Sequence, residues 1–188
     1  MGAEPESERR GLPVDRRFLL AVLCAVLAAV VSWTELILVV PERVLPHWAV
    51  ASIALLAAAA LRIRPRSRPS GPWRAAFALP ALVAVAGVGL GGAGDLGAEY
   101  RVLDPAGPDG CRALVRENSF LVIGDGSVYA VNGVGFALPS SSWVADDNAR
   151  PIAAGQYELT WGERAGVLVL HGRGGDPVMP ALHGVDCD

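Results

Sequence analysis

The chain has no lysine: all 16 of its basic residues are arginine. That usage is a bias of GC-rich bacterial coding, not a physical requirement, and it marks source alone. Histidine and cysteine are also scarce, at three each in 188 residues. Neither Cys-x-x-Cys nor His-Glu-x-x-His spacing occurs, so no zinc ligand set is offered. Gly-x-Ser-x-Gly, the elbow that presents a nucleophilic serine, is missing as well. Residues 99–188 carry six arginines against twelve acids. That balance provides no counter-charge for phosphates, which excludes nucleic acid as a partner. No cofactor is expected.

What is abundant is apolar surface. Fifty-two per cent of the residues are hydrophobic and the mean hydropathy is positive, a composition that favours the membrane class. Residues 1–17 are polar and lack an apolar period, so they are expected to be a disordered cytoplasmic tail. The block 18–40 has one charge, Glu35, and as a helix would be about 34 Å long, enough to span a bilayer. A secretory signal is the rival reading, given Arg16 and Arg17 ahead of the block, but no small-x-small cleavage site follows. Cys24 follows Leu23, where a lipoprotein cysteine would follow a small residue, and is expected to be a buried, inert thiol. Glu35 is an ionisable group inside an apolar block and therefore a functional candidate. Beside Trp33 near the end of that block it is expected to reach the headgroups, with ion coupling or helix pairing as the other role.

A tight helical hairpin through Pro41 and Pro46 would lead to a second span over 44–61 and then to a third over 75–93. Gly87 and Gly91 form a small-xxx-small pair that admits a close helix neighbour. Gly87, Gly89 and Gly92 also match the dinucleotide fingerprint in letters, but they end an apolar helix where that motif needs a preceding strand. Between the second and third blocks lie Arg62, Arg64, Arg66, Arg68 and Arg74. With Arg9, Arg10, Arg16 and Arg17 in the tail, and Arg43 alone in the hairpin, they predict an inside N-terminus and three crossings. The basic loop 62–74 is then a topological anchor against anionic lipid. The expected architecture is a three-helix transmembrane region over 18–96 and a small all-β extracytoplasmic domain over 97–188, an antiparallel sandwich or barrel.

In that domain, short apolar runs alternate with Gly, Pro, Asn and Asp. Strands are expected at 100–103, 112–116, 120–123, 127–131, 134–138, 156–161 and 167–171. Turns are expected at Gly124-Asp-Gly126 and Asn132-Gly133. Cys111 and Cys187 lie near its two ends, and in an oxidising compartment a disulfide between them would close a loop of about 77 residues, stabilising by at most about 4.5 kcal/mol. Two free thiols are the alternative. His171 and His183 are the only imidazoles of the domain; they could meet at a metal or catalytic site, or simply sit on strands. Ser140, Ser141 and Ser142 read as a polar loop, and Asp146-Asp-Asn148 as a solvated turn.

The tracts Tyr100-Arg-Val-Leu-Asp-Pro, Gly110-Cys-Arg, Ser119-Phe-Leu, Ser142-Trp143, Pro151-Ile-Ala-Ala-Gly-Gln-Tyr157 and Val185-Asp-Cys187 resemble the C-terminal half of small integral membrane proteins of actinobacteria that carry no assigned activity. The resemblance implies an envelope location and transfers no catalytic residue. Three function classes follow. The first is a membrane protein displaying a β-rich interaction or ligand-binding domain, with the lipid bilayer and an envelope protein or a second copy as partners. The others are a membrane subunit of a transport or signalling assembly, and an exported hydrolase.

Overall fold

The 18–40 block, expected to be one membrane helix, is two elements in the computed structural model, which describes residues 16–41, 43–62, 71–172 and 177–187. Helix α1 runs Arg16–Ser32. Its last turn tightens through i→i−3 bonds from the Trp33 and Thr34 amides to the Val30 and Val31 carbonyls, and the Ser32 hydroxyl bonds back to the Ala29 carbonyl, which ends the helix. The β-branched run that follows becomes strand β1, Ile37–Val40. It turns at Pro41 into β2, Arg43–Leu45, with Val39 opposite Val44. Pro46 then starts helix α2, His47–Arg62, its carbonyl accepting from the Ala49 and Val50 amides.

At 17 and 16 residues, α1 and α2 are only about 25 Å long, short of the roughly 30 Å of a hydrocarbon core. Helix α3, Gly71–Gly94, contains the single stretch among the described residues long and apolar enough to cross a membrane, Arg74–Gly94. The three-span architecture with a small separate β domain is therefore corrected. One candidate span stands beside two shorter apolar helices, and the β part is larger than expected because the 37–45 segment belongs to it. Hydropathy misled because a β-branched strand and the end of an apolar helix look alike in composition.

The remaining strands are β3 Glu99–Val102, β4 Arg112–Phe120, β5 Ile123–Val131, β6 Phe136–Ala145, β7 Tyr157–Trp161, β8 Ala165–Leu170, β9 Val178–Met179 and β10 Leu182–Asp186. The larger sheet has the order β2-β1-β6-β5-β4-β3, with β9 also on β6, and the smaller has the order β10-β8-β7. Every pairing is antiparallel. Strand β1 joins through Ile37 opposite Ala137 and Leu38 opposite Phe136.

The two sheets enclose the main core, in which Ala113, Val115, Val128, Trp143, Leu168, Leu170 and Val185 are buried. A second cluster, Ile37, Leu114, Tyr129, Val131 and Ala137, lies on the other face of the larger sheet. Side chains alternate along a strand, so on β4 the residues Leu114, Arg116, Asn118 and Phe120 share that second face.

Three expectations shift. The 120–123 strand is the β4–β5 connection, with Leu121 and Val122 at the turn. Gly124 and Gly126 lie inside β5: a Cβ at Gly126 would strike the Trp143 indole, and one at Gly124 the Ala149 carbonyl, so these glycines permit close packing and make no turn. The serines 140–142 belong to β6. The Asn132 turn is present, over 132–135. The Asn132 Oδ1 accepts from the Val134 and Phe136 amides, and Gly135 takes the positive φ.

Candidate functional site

The helices meet the larger sheet at Asp95, the first residue past α3. Its Oδ2 accepts from the Trp48 indole N–H at 2.6 Å and the Tyr100 hydroxyl at 2.8 Å. Its Oδ1 accepts from the Arg116 Nε at 2.6 Å. Arg116 also donates to the Gly94 carbonyl at 2.6 Å and reaches Asp125 at 3.4 Å. One carboxylate thus joins the start of α2, the end of α3, β3 and β4. Burial works to raise the Asp95 carboxyl, but the bonds from Trp48, Arg116 and Tyr100 outweigh it and hold the group below the usual carboxylate range. Burial and the Asp95 bond push the Tyr100 phenol far up. Arg116 stays charged: burial acts against it and Asp95 more than compensates. Nothing local in the sequence marks Asp95 except that it is the first charge after a long uncharged run. Its partners lie at positions 48, 100 and 116, so only the fold assembles them.

Cys111 and Cys187 are joined in a disulfide, with Cα atoms 6.0 Å apart. The bridge lies in the wall of an open cleft of about 380 Å³ whose polar lining includes Asp109, Asn132, Glu163 and Arg164. Neighbouring charges of both signs on a mostly polar wall suit a polar or zwitterionic group. Sequence reasoning placed the bridge and missed the cleft, which the turns before β4, after β5 and after β7 form only once the sheets stack.

His183 and Ser141 meet between the sheets. The Ser141 Oγ lies 2.8 Å from His183 Nδ1, and Nε2 lies 3.0 Å from the Pro180 carbonyl. A carbonyl can only accept, so Nε2 carries the proton and Nδ1 accepts from the hydroxyl. The contact is that of a base beside an alcohol, yet His183 is 1% exposed and packs at 5.5 Å from Trp143. Both nitrogens are satisfied, and the pair welds β6 to β10. Burial pushes the His183 imidazolium below its ordinary value, opposed by the Pro180 carbonyl. The unfolded chain therefore takes up this proton first as pH falls below about 6.5. The contribution to stability is complete above that value and declines from there towards the lowered folded-state pKa. Urea midpoints at pH 7.5 and 5.5 are expected to differ less in His183→Gln than in the parent protein; an unchanged difference would remove His183 as the cause.

The other sequence candidates are placed apart. His171 is exposed beyond β8, with Nε2 at 3.5 Å from Glu158, and no cluster of metal-ligating side chains occurs among the described residues. Glu35 is exposed in the segment between α1 and β1, outside any helix, and its charge helps burial to raise the Tyr129 phenol. Gly87 faces Ser32 and Trp33, and Gly91 faces His47 and Trp48, so this glycine face is occupied by the chain's own α1 and α2. Arg62 stacks over Phe77 at 4.3 Å and Phe18 at 5.8 Å. Arg74 is exposed on α3, and Arg64, Arg66 and Arg68 lie outside the described residues. No family model, curated protein or solved structure matches the chain.

Proposed function

We propose that the protein is a membrane-anchored binding protein. Helix α3 crosses the cytoplasmic membrane, and the shorter α2 packed against it returns the chain from the β1–β2 ribbon to the arginine side. The β-rich part is displayed on the outer side with the cleft beside the disulfide as its recognition surface. The observation that supports this reading best is the inverted burial of the helical layer. Ala21, Ala25, Ala28, Ala51, Ala58 and Ala84 are fully buried, whereas Leu23, Leu27, Ile53, Leu56, Leu82 and Leu90 are at least half exposed. Small residues between helices and large apolar ones outside suit hydrocarbon surroundings, where close backbone approach is what holds helices together. In water the same surface would be an aggregation liability.

Orientation follows from charge. Arg62, Arg64, Arg66 and Arg68 precede the candidate span, Arg74 is its first residue, and Asp95 follows it. Such an asymmetry holds the arginine side in the cytoplasm, which carries Cys111 and Cys187 to the compartment where disulfides persist. The full chain is expected to remain in the membrane pellet after alkaline carbonate extraction. A phosphatase that is active only outside the cytoplasm, fused after residue 188, is expected to be active. Release by carbonate, or activity only from a cytoplasmic fluorescent reporter at that position, would overturn the assignment.

A further inference from the structure

The larger sheet extends beyond its junction with the helix ends and presents an uncovered apolar surface on the face that Arg116 turns towards the end of α3. Arg116 fixes that face, because it bonds Asp95 and the Gly94 carbonyl at the end of α3. Two alternations further along β4 is Phe120, about 13 Å from Arg116 at strand rise, 70% exposed and paired with Ile123. The same face continues through Asp125 to Val144 opposite it and to Met179 opposite Val144. Those two side chains are 52% and 66% exposed. At the turn, Leu121 and Val122 are 77% and 69% exposed. Leu96, 77% exposed, follows Asp95 where the chain leaves α3.

This surface has one occupant consistent with its position. Leu90 and Leu96, at the outer end of the candidate span, are 65% and 77% exposed, so the apolar surface of α3 runs up to the helix end that Arg116 fixes to the sheet. We infer that the β4–β5 turn, with Phe120 and Ile123 behind it, inserts into the outer leaflet of the bilayer that α3 crosses. It acts as a second, monotopic contact and sets the tilt of the displayed domain. The inference rests on the membrane anchoring proposed above. A turn of apolar residues at the interface gains burial of hydrocarbon surface without having to cross. The Val122 carbonyl accepts from the Asn148 amide at 3.1 Å, so part of the turn's backbone is already satisfied within the protein.

The test uses the full chain, oxidised, with Cys24→Ser and one new cysteine carrying an environment-sensitive fluorophore. The labelled variants are Val122→Cys at the turn, Leu82→Cys in α3, and Val134→Cys in the exposed 132–135 turn at the opposite end of β5. Each is reconstituted into phosphatidylethanolamine–phosphatidylglycerol vesicles containing a doxyl-labelled lipid. Labels at 122 and 82 are expected to lose most of their emission to the lipid quencher, and the label at 134 to keep it. Leu121→Asp is expected to abolish the quenching at 122 while leaving the urea midpoint in place. If 82 is quenched and 122 behaves like 134, the insertion is wrong and the anchor stands. If 82 is not quenched, the anchoring itself is wrong and the insertion falls with it. Energy transfer between copies labelled at 122, without lipid quenching, would assign the surface to a second chain and overturn the proposal.

Discussion

Replacing Asp95 by alanine is expected to destabilise the folded protein by about 3–5 kcal/mol, the usual cost of removing one partner from a buried ion pair. The carboxylate is 9% exposed and its partner Arg116 17%. Without it Arg116 keeps only the Gly94 carbonyl and the longer, more exposed contact to Asp125 at 3.4 Å, and its Nε is left facing the Tyr100 hydroxyl and the Trp48 indole, all of them donors in this arrangement. Asp95→Asn retains an acceptor oxygen and loses the charge, so its expected cost is about 1.5–3 kcal/mol, that of a charge-assisted bond. Asp95→Ala combined with Arg116→Met is expected to recover part of the loss, because the stranded charge goes with its partner. Urea unfolding in detergent, followed by tryptophan emission, measures all three. A single-variant loss below about 1 kcal/mol, in the range of an exposed pair, would show that Asp95 does not tie the helices to the sheet. The pH dependence has a definite sign. The folded pKa of Asp95 is depressed, so its contribution is present above the unfolded value of about 3.9 and is lost as pH falls through the folded pKa. The asparagine variant lacks that component.

Removing the disulfide has the next largest effect. Cys111 and Cys187 are 76 residues apart in sequence, and loop-closure entropy places the loss in Cys111→Ala with Cys187→Ala at about 2–4.5 kcal/mol. Two signatures accompany it. The urea midpoint falls, and the slope of the transition rises, because an unbridged denatured chain exposes more surface. A reducing agent added to the parent protein is expected to reproduce both. A change in neither would mean that β10 is held by its pairing with β8 and by the Ser141–His183 contact without help from the bridge. The cleft shares the disulfide as part of its wall, so a ligand found there is expected to bind more weakly to the reduced protein.

The disulfide was legible in the letters because Cys111 and Cys187 are the two cysteines of the C-terminal part and leave one pairing. The β-rich character of that part was legible because apolar alternation broken by turn residues is a short-range signature. Asn132 was legible as a turn for the same reason. Position 37 was not. An Ile-Leu-Val-Val run satisfies a helix pattern and a strand pattern equally, and only pairing with Ala137 and Phe136 decides between them. Gly124 and Gly126 carried a turn signal that arises instead from the bulk of Trp143 and the approach of the Ala149 backbone. Asp95 was invisible as a junction because a lone acid after a helix is common, and what distinguishes this one is three donors supplied by distant segments.

The β1–β2 ribbon has a consequence for how the protein is made and cut. Ile37 is synthesised one hundred positions before Ala137, its partner, so the ribbon must wait, unpaired, until almost the whole of the larger sheet has emerged. Closing so long a loop slows folding, and meanwhile the ribbon and the rim of β6 each offer an open template to foreign strands. The same fact argues against excising the C-terminal half. A fragment starting at position 97 would lose Ile37 from the second cluster and bare the β6 rim along Phe136 and Ala137. Its expected behaviour is self-association, and it would misrepresent the β-rich part as the longer chain folds it.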